Sequence, residues 1–235
     1  MIFEIYGLNI NTCIDQHKLE FLMNKLPDES IRRIRSFYKQ EDSLRTLGGE
    51  LLVRYMIYKY RGIPLSKICI SRGEYGKPYL KNDCGLHFNI SHSGQWIVAA
   101  ISESPVGIDI QEIEDFQIEL DLLKHFSKNE RHYIMNQEDK LNCFYDLWTL
   151  KESYIKAIGM GLFKSLDSFS IYINDNSIEI DSKNPSYYFK QYEFIKNYKL
   201  AVCSLSNDFP DVIKLIEWEE LYNSFLGLDV VRSLR

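Results

Sequence analysis

Apolar and polar positions alternate most cleanly in VGIDIQ, residues 106 to 111. Val106, Ile108 and Ile110 fall on one side, and Gly107, Asp109 and Gln111 on the other. Strand side chains point to opposite faces with a period of two, so this stretch predicts a strand bearing a carboxylate and an amide opposite its apolar face. KICIS, LHFNIS and WIVAAIS predict three short strands before it, with turns in GEYGKPYL and SHSGQ. The period changes to a helical one in QEDSLRTLGGELLVRYMIYKYRG. There Leu44, Leu47, Leu51, Leu52, Tyr55 and Tyr58 recur at helical spacing and Gly62 ends the run. Gly48 and Gly49 inside it each cost about 1 kcal/mol against alanine; close packing against another backbone would explain them, and tolerated weakness is the alternative. A second helix is predicted through LNCFYDLWTLKESYIKAIG, with Phe144, Leu147, Trp148, Ile155 and Ile158 as its apolar stripe and Gly159 at its end. Between the two, SKNE fits a capping box at Ser127 and Glu130 that opens a helix toward Gln137. Strands follow at Phe169–Asn174, Ser177–Asp181, Tyr187–Ile195 and Lys199–Ser206, with a fifth at Val212–Trp218 and a terminal helix from Glu219.

Helix, strands, helices, strands in that order predict an α+β fold with mostly antiparallel pairing. Pro105 separates two stretches that each hold a long helix and a set of strands. The expected organisation is an N-terminal half over 1–104, a C-terminal half over 105–226 that carries the candidate site, and a tail over 227–235.

Composition narrows the class. The 235 residues are 45% hydrophobic and 26% charged, as in soluble globular proteins. No apolar run is long enough for a bilayer and no leader pattern opens the chain, so no membrane is expected. Five cysteines with no CxxC pair suit free thiols in a reducing compartment, which points to the cytoplasm. The net charge of -5 argues against nucleic acid as the partner. It hides an asymmetry: Ser30 to Gly62 holds eight Lys/Arg against three acids, and Glu103 to Asp121 holds seven acids and no base. Two solvated faces are the ordinary explanation; a cleft with an anionic ligand on one side and a cation on the other is the sharper one.

Thr149, Glu152 and Lys156 share one face of the second long helix, opposite its apolar stripe. Alone, Glu152 and Lys156 read as a surface ion pair and Asp109 as a turn or capping acid. Taken together, an acid on a strand, an acid on a helix and a lysine one turn on suit Mg2+ held against a phosphate, because Mg2+ takes one or two carboxylates and lets phosphate and water complete its shell. FNISHSGQW adds the hydroxyls of Ser91 and Ser93 and the imidazole of His92, which equally reads as a turn histidine bonded to backbone. No GxSxG, Walker-type loop or HExxH is present.

FNISHSG, VGIDIQ and WTLKESYIKAIGMGL, with EYGKPYL and FYKQEDSLRTLGGE before them, resemble the 4'-phosphopantetheinyl transferases, most of all the long pseudo-dimeric type that activates surfactin synthetase. The motifs keep their order from about Ile2 to about Leu221. The resemblance implies two similar α/β halves in a pseudo-twofold arrangement around a cleft that holds coenzyme A. It implies transfer of the phosphopantetheine arm to a serine of an acyl or peptidyl carrier protein. By this resemblance Asp109, Gln111 and Glu152 are metal ligands, and Glu152 and Lys156 are catalytic. Arg33, Thr46, Lys77, Ser91, His92 and Lys156 contact the coenzyme. Arg33 stands where the family often has lysine, Ser30 where a second lysine is expected, and Gln111 where many relatives have glutamate. DFQIELDLLKHF, with Phe116, Ile118, Leu120, Leu122 and Leu123, reads either as buried structure or as a surface for the carrier protein, which Lys124 and Lys128 would steer. A duplicated chain can build its own cleft, so a monomer is expected. Two other readings use the same residues: a Mg2+-dependent phosphohydrolase or nuclease, and a carrier-binding module without turnover.

Overall fold

The computed structural model describes residues 2–81, 85–115, 120–175, 177–181 and 187–233. The chain opens with β1 (Phe3–Asn9), α1 (Gln16–Met23), α2 (Asp28–Arg35) and the long α3 (Gln40–Arg61). Next come β2 (Ile70–Arg72), β3 (Pro78–Leu80), β4 (His87–Ser93), β5 (Trp96–Ser102) and β6 (Val106–Glu112). The rest is α4 (Leu120–Leu123), α5 (Lys128–Met135), α6 (Lys140–Ile158), β7 (Ser170–Asn174), β8 (Ser177–Asp181), β9 (Tyr188–Tyr192), β10 (Tyr198–Ser204), β11 (Lys214–Ile216) and α7 (Trp218–Ser233). The fold is α+β. The pairings are antiparallel except β1 with β11.

Two sheets form the centre, β11-β1-β5-β4 and β6-β10-β9. They stack face to face, with α3 outside the first and α6 outside the second. Alternation assigns each residue to a layer. Along β5, Trp96, Val98 and Ala100 enter the slab between the sheets, where they meet Ile5, Ile108, Ile110 and Val202. Ile97, Ala99 and Ile101 point the other way, into the core under α3. All seven residues of β5 are therefore buried, which accounts for the unbroken apolar run WIVAAIS. Val106, Ile108 and Ile110 face the slab as their spacing predicts, so Asp109 faces α6.

The helices end where the glycines predict. Gly62 and Gly159 cap α3 and α6 in the left-handed conformation, at φ 64° and 75°. The capping box at Ser127 and Glu130 is complete. Gly48 lies where α3 comes down on the sheet: a Cβ there would stand 2.5 Å from Ile97 Cδ1. Sequence patterning passes over β1, α1 and α2. α1 and α2 are eight residues each, short enough to depend on tertiary packing more than on their own periodicity.

The end of the chain returns to the first sheet. β11 pairs in parallel with β1, and α7 packs on α1 and α3 through Trp218, Leu221 and Phe225. Residues 214–225, expected within the C-terminal half, thus pack against the elements of the first. Phe116 and Ile118 of the expected carrier surface lie outside the described residues. Leu123 is buried in the second core, beside Phe126. Among the described residues, no helix is long and apolar enough to cross a membrane.

Candidate active site

β4 and β6 lie side by side without sharing a backbone ladder. β4 instead bonds to β6 through alternate side chains. Ile108 N donates to Asn89 Oδ1 (2.8 Å), Ile110 N to Ser91 Oγ (3.3 Å) and Glu112 N to Ser93 Oγ (2.9 Å). This side-chain seam satisfies the open edge of β6 at polar positions repeating every second residue, N-x-S-x-S. Asn89 was legible only through that alternation, and motif reading passes over it.

Asp109 is buried at the middle of the seam. Its Oδ1 accepts from Ser91 Oγ at 2.8 Å and from Lys156 Nζ at 2.5 Å, and its Oδ2 accepts from Gln111 Nε2 at 3.2 Å. Lys156 also donates to Ser91 Oγ at 2.9 Å, and a quarter of its side chain is open to solvent (26%). The Ser91 hydroxyl therefore gives one hydrogen bond and receives two. Through these bonds Ser91 fixes Asp109 and Lys156 relative to each other.

Glu152 projects from α6 one turn before Lys156. Burial and then the neighbouring Asp109 charge push its carboxyl up, and Lys156 opposes them. Among the described residues, no hydrogen-bond donor reaches it. A half-buried carboxylate beside a second one, without a donor of its own, is the kind of group a cation satisfies. The donor set is two carboxylates with the Gln111 amide; among the described residues, no three His, Cys, Asp or Glu side chains gather as a metal cluster.

Gly107 faces the backbone of α6. A Cβ there would lie 2.0 Å from Ser153 O and 2.3 Å from Ala157 N, so the missing side chain admits the backbone of α6. That approach brings Glu152 and Lys156 down onto the strand. The residue of α6 just before Glu152, Lys151, is fixed from beneath. Its ammonium bonds both Glu130 oxygens (2.6 and 2.8 Å) and Phe169 O (2.7 Å), while Glu130 also receives Ser127 N and Ile171 N.

The other expected coenzyme contacts are spread along the first half. His92 follows Ser91 on β4, and Arg45 ties the turn after that strand to α3 by donating to Gly94 O at 2.6 Å. Desolvation, then Arg45 and Lys156, press the His92 imidazole below its ordinary pKa. Thr46 follows Arg45 on α3 and is half-buried. Arg33 pairs with Glu50 at 2.7 Å, and Ser30 donates to the other Glu50 oxygen at 2.8 Å. Both border a cleft of about 960 Å³ that runs from α2 past Arg54 and Ser71 to Pro78 and Ile90. The Lys77 ammonium turns into the protein and donates to Val106 O and Ala157 O, at 3.0 Å each.

Comparison with known proteins bears on this arrangement. Residues 14–104 match the family model described as 4'-phosphopantetheinyl transferase, N-terminal, and residues 105–203 match the model of the 4'-phosphopantetheinyl transferase superfamily. The chain belongs to the 4'-phosphopantetheinyl transferase family. It is 38% identical to the 4'-phosphopantetheinyl transferase Sfp of Bacillus subtilis over 223 residues, which span 93% of this chain and 99% of that protein. It is 36% identical to the transferase ffp of the same species with the same coverage. It is 35% identical to the transferase gsp of Aneurinibacillus migulanus over 230 residues, 96% of each chain. The protein is thus an enzyme, a 4'-phosphopantetheinyl transferase of the Sfp type, and its two stacked halves accord with that fold. In this transferase Asn89, Arg45 and Ser93 join the predicted residues as the framework that holds the site.

Proposed function

We propose that the transferase moves the 4'-phosphopantetheine arm of coenzyme A to a serine of an apo acyl or peptidyl carrier protein. The serine oxygen forms a bond to the β-phosphorus. The bond from that phosphorus to the bridging oxygen breaks, and adenosine 3',5'-bisphosphate leaves with the electron pair. The observation that carries the reading is the convergence of Asp109, Glu152 and Lys156 from a strand and a facing helix.

Each residue has a task in this scheme. A serine hydroxyl needs a base at neutral pH. Glu152, its carboxyl raised by burial and by Asp109, takes that proton. Lys156 brings positive charge to the phosphates. Asp109, Glu152 and Gln111 would hold Mg2+, which supplies charge neutralisation on the pyrophosphate. His92, Thr46 and Arg33 line the path of the nucleotide, and Ser91 keeps Lys156 and Asp109 in register.

Mass spectrometry of a carrier protein tests this directly. Incubation with coenzyme A and Mg2+ should add the mass of one phosphopantetheine, and chelation should prevent it. Glu152→Ala should fold normally and transfer at least about 100-fold more slowly, as removal of a general base does. Apo carriers of the fatty-acid, polyketide and peptide kinds that all stay unmodified would refute the reading.

A further inference from the structure

Three separate contacts converge where the turn before β3 meets the end of α6. The ammonium of Lys77 bonds Val106 O, the first residue of β6, and Ala157 O, in the last turn of α6. The Tyr75 ring lies 4.8 Å from that of Phe163. A Cβ on Gly161 would stand 3.4 Å from Tyr75 O, and one on Gly159 would stand 3.2 Å from Lys77 Cδ. The turn belongs to the first half, and these three contacts reach into the second.

Lys77 suits its place. The last four carbonyls of a helix lack intrahelical partners, and that end carries partial negative charge. One ammonium satisfies Ala157 O there and Val106 O beside it. These two carbonyls lie close in sequence to the chemistry: Ala157 follows Lys156, and Val106 precedes Asp109 by three residues. The Cys203 thiol is a titratable neighbour of this ammonium.

We propose that Lys77 is a positioning residue: it pins the last turn of α6 to the start of β6 and so sets the spacing of Lys156 and Asp109. The proposal rests on the transferase reading. It separates Lys77 from the nucleotide-binding residues, because loss of the clamp disturbs the transfer step while leaving coenzyme affinity intact.

Lys77→Met keeps the stem and removes the donors. Hydrogen exchange should quicken about tenfold or more in peptides covering 106–112 and 153–159, with α3 unchanged, as local opening predicts. In steady state, kcat should fall about tenfold or more with KM for coenzyme A within about twofold, and Lys77→Arg should restore part of the rate. A rise in KM with kcat retained would make Lys77 a coenzyme ligand and overturn the proposal, as would unchanged exchange in both peptides. If the wild type modifies no carrier, the transferase reading fails and exchange alone decides on Lys77. Should Lys77→Met not fold, Lys77→Gln is judged by the same criteria.

Discussion

Gln111 sets the charge of the site. Its amide donates to Asp109 Oδ2, so this chain presents two carboxylates and one neutral oxygen where a glutamate would add a third charge. Gln111→Glu should lower the Mg2+ concentration for half-maximal transfer by about tenfold, roughly 1.4 kcal/mol, without raising activity at saturating metal. A Mg2+ titration checks it, and an unchanged midpoint would remove Gln111 from the proposed Mg2+ site. Gly107 sets the distance. Gly107→Ala would drive a methyl into Ser153 O and should destabilise the protein by about 3 kcal/mol or more. Urea denaturation measures that, and a loss under about 0.5 kcal/mol would show that α6 can shift at little cost. The alternation of VGIDIQ already put Asp109 and Gln111 on one face. It could not tell that Gly107, on the same face, makes room for a helix backbone, because spacing records which side a residue faces and not what approaches it.

Lys77 joins a turn, a strand and a helix, and its charge is exposed to pH through that junction. Burial lowers its pKa from 10.5 to about 8. Between those values the unfolded chain holds a proton that the folded protein has released, so the contribution of Lys77 to stability rises with pH across this window. Below pH 8 both states are protonated and the desolvation penalty stands in full. Cys203, pushed up by burial and opposed by Lys77, acts in the opposite direction, and its burial is common to both proteins in a comparison with Lys77→Met. Wild type should therefore gain on the order of 1–3 kcal/mol relative to Lys77→Met between pH 7.5 and 10. Urea curves at the two pH values settle it; a gap that stays constant or moves the other way contradicts the shift. Long helices and their glycine caps were legible because periodicity and left-handed ends leave local marks. The seam was half legible: Ser91 and Ser93 stood out as hydroxyls, but their use as substitutes for a backbone ladder depends on β6 arriving from another sheet.

The two stacked sheets share one apolar slab, and the chain crosses between halves more than once. The return of β11 and α7 to the first half had no signal in local pattern, since β11 is three residues long and its partner β1 lies about two hundred residues away. Trp218, Leu221 and Phe225 are nonetheless fully buried there. Deleting everything after Ile213 should abolish cooperative unfolding of the first half, since burying one such side chain is worth about 1.5–3 kcal/mol and a domain's net stability is about 5–15 kcal/mol. Circular dichroism melts check this, and a truncated protein that still melts in one sharp step would refute it.

The same return fixes an order of events during synthesis. β1, α1 and α3 leave the ribosome early, yet the groove between them is filled by residues made more than a hundred positions after β5. Until then the nascent first half offers an apolar socket and an unpaired strand edge, the two features that recruit chaperones or wrong partners. The first half, although first in the sequence, is the last to close.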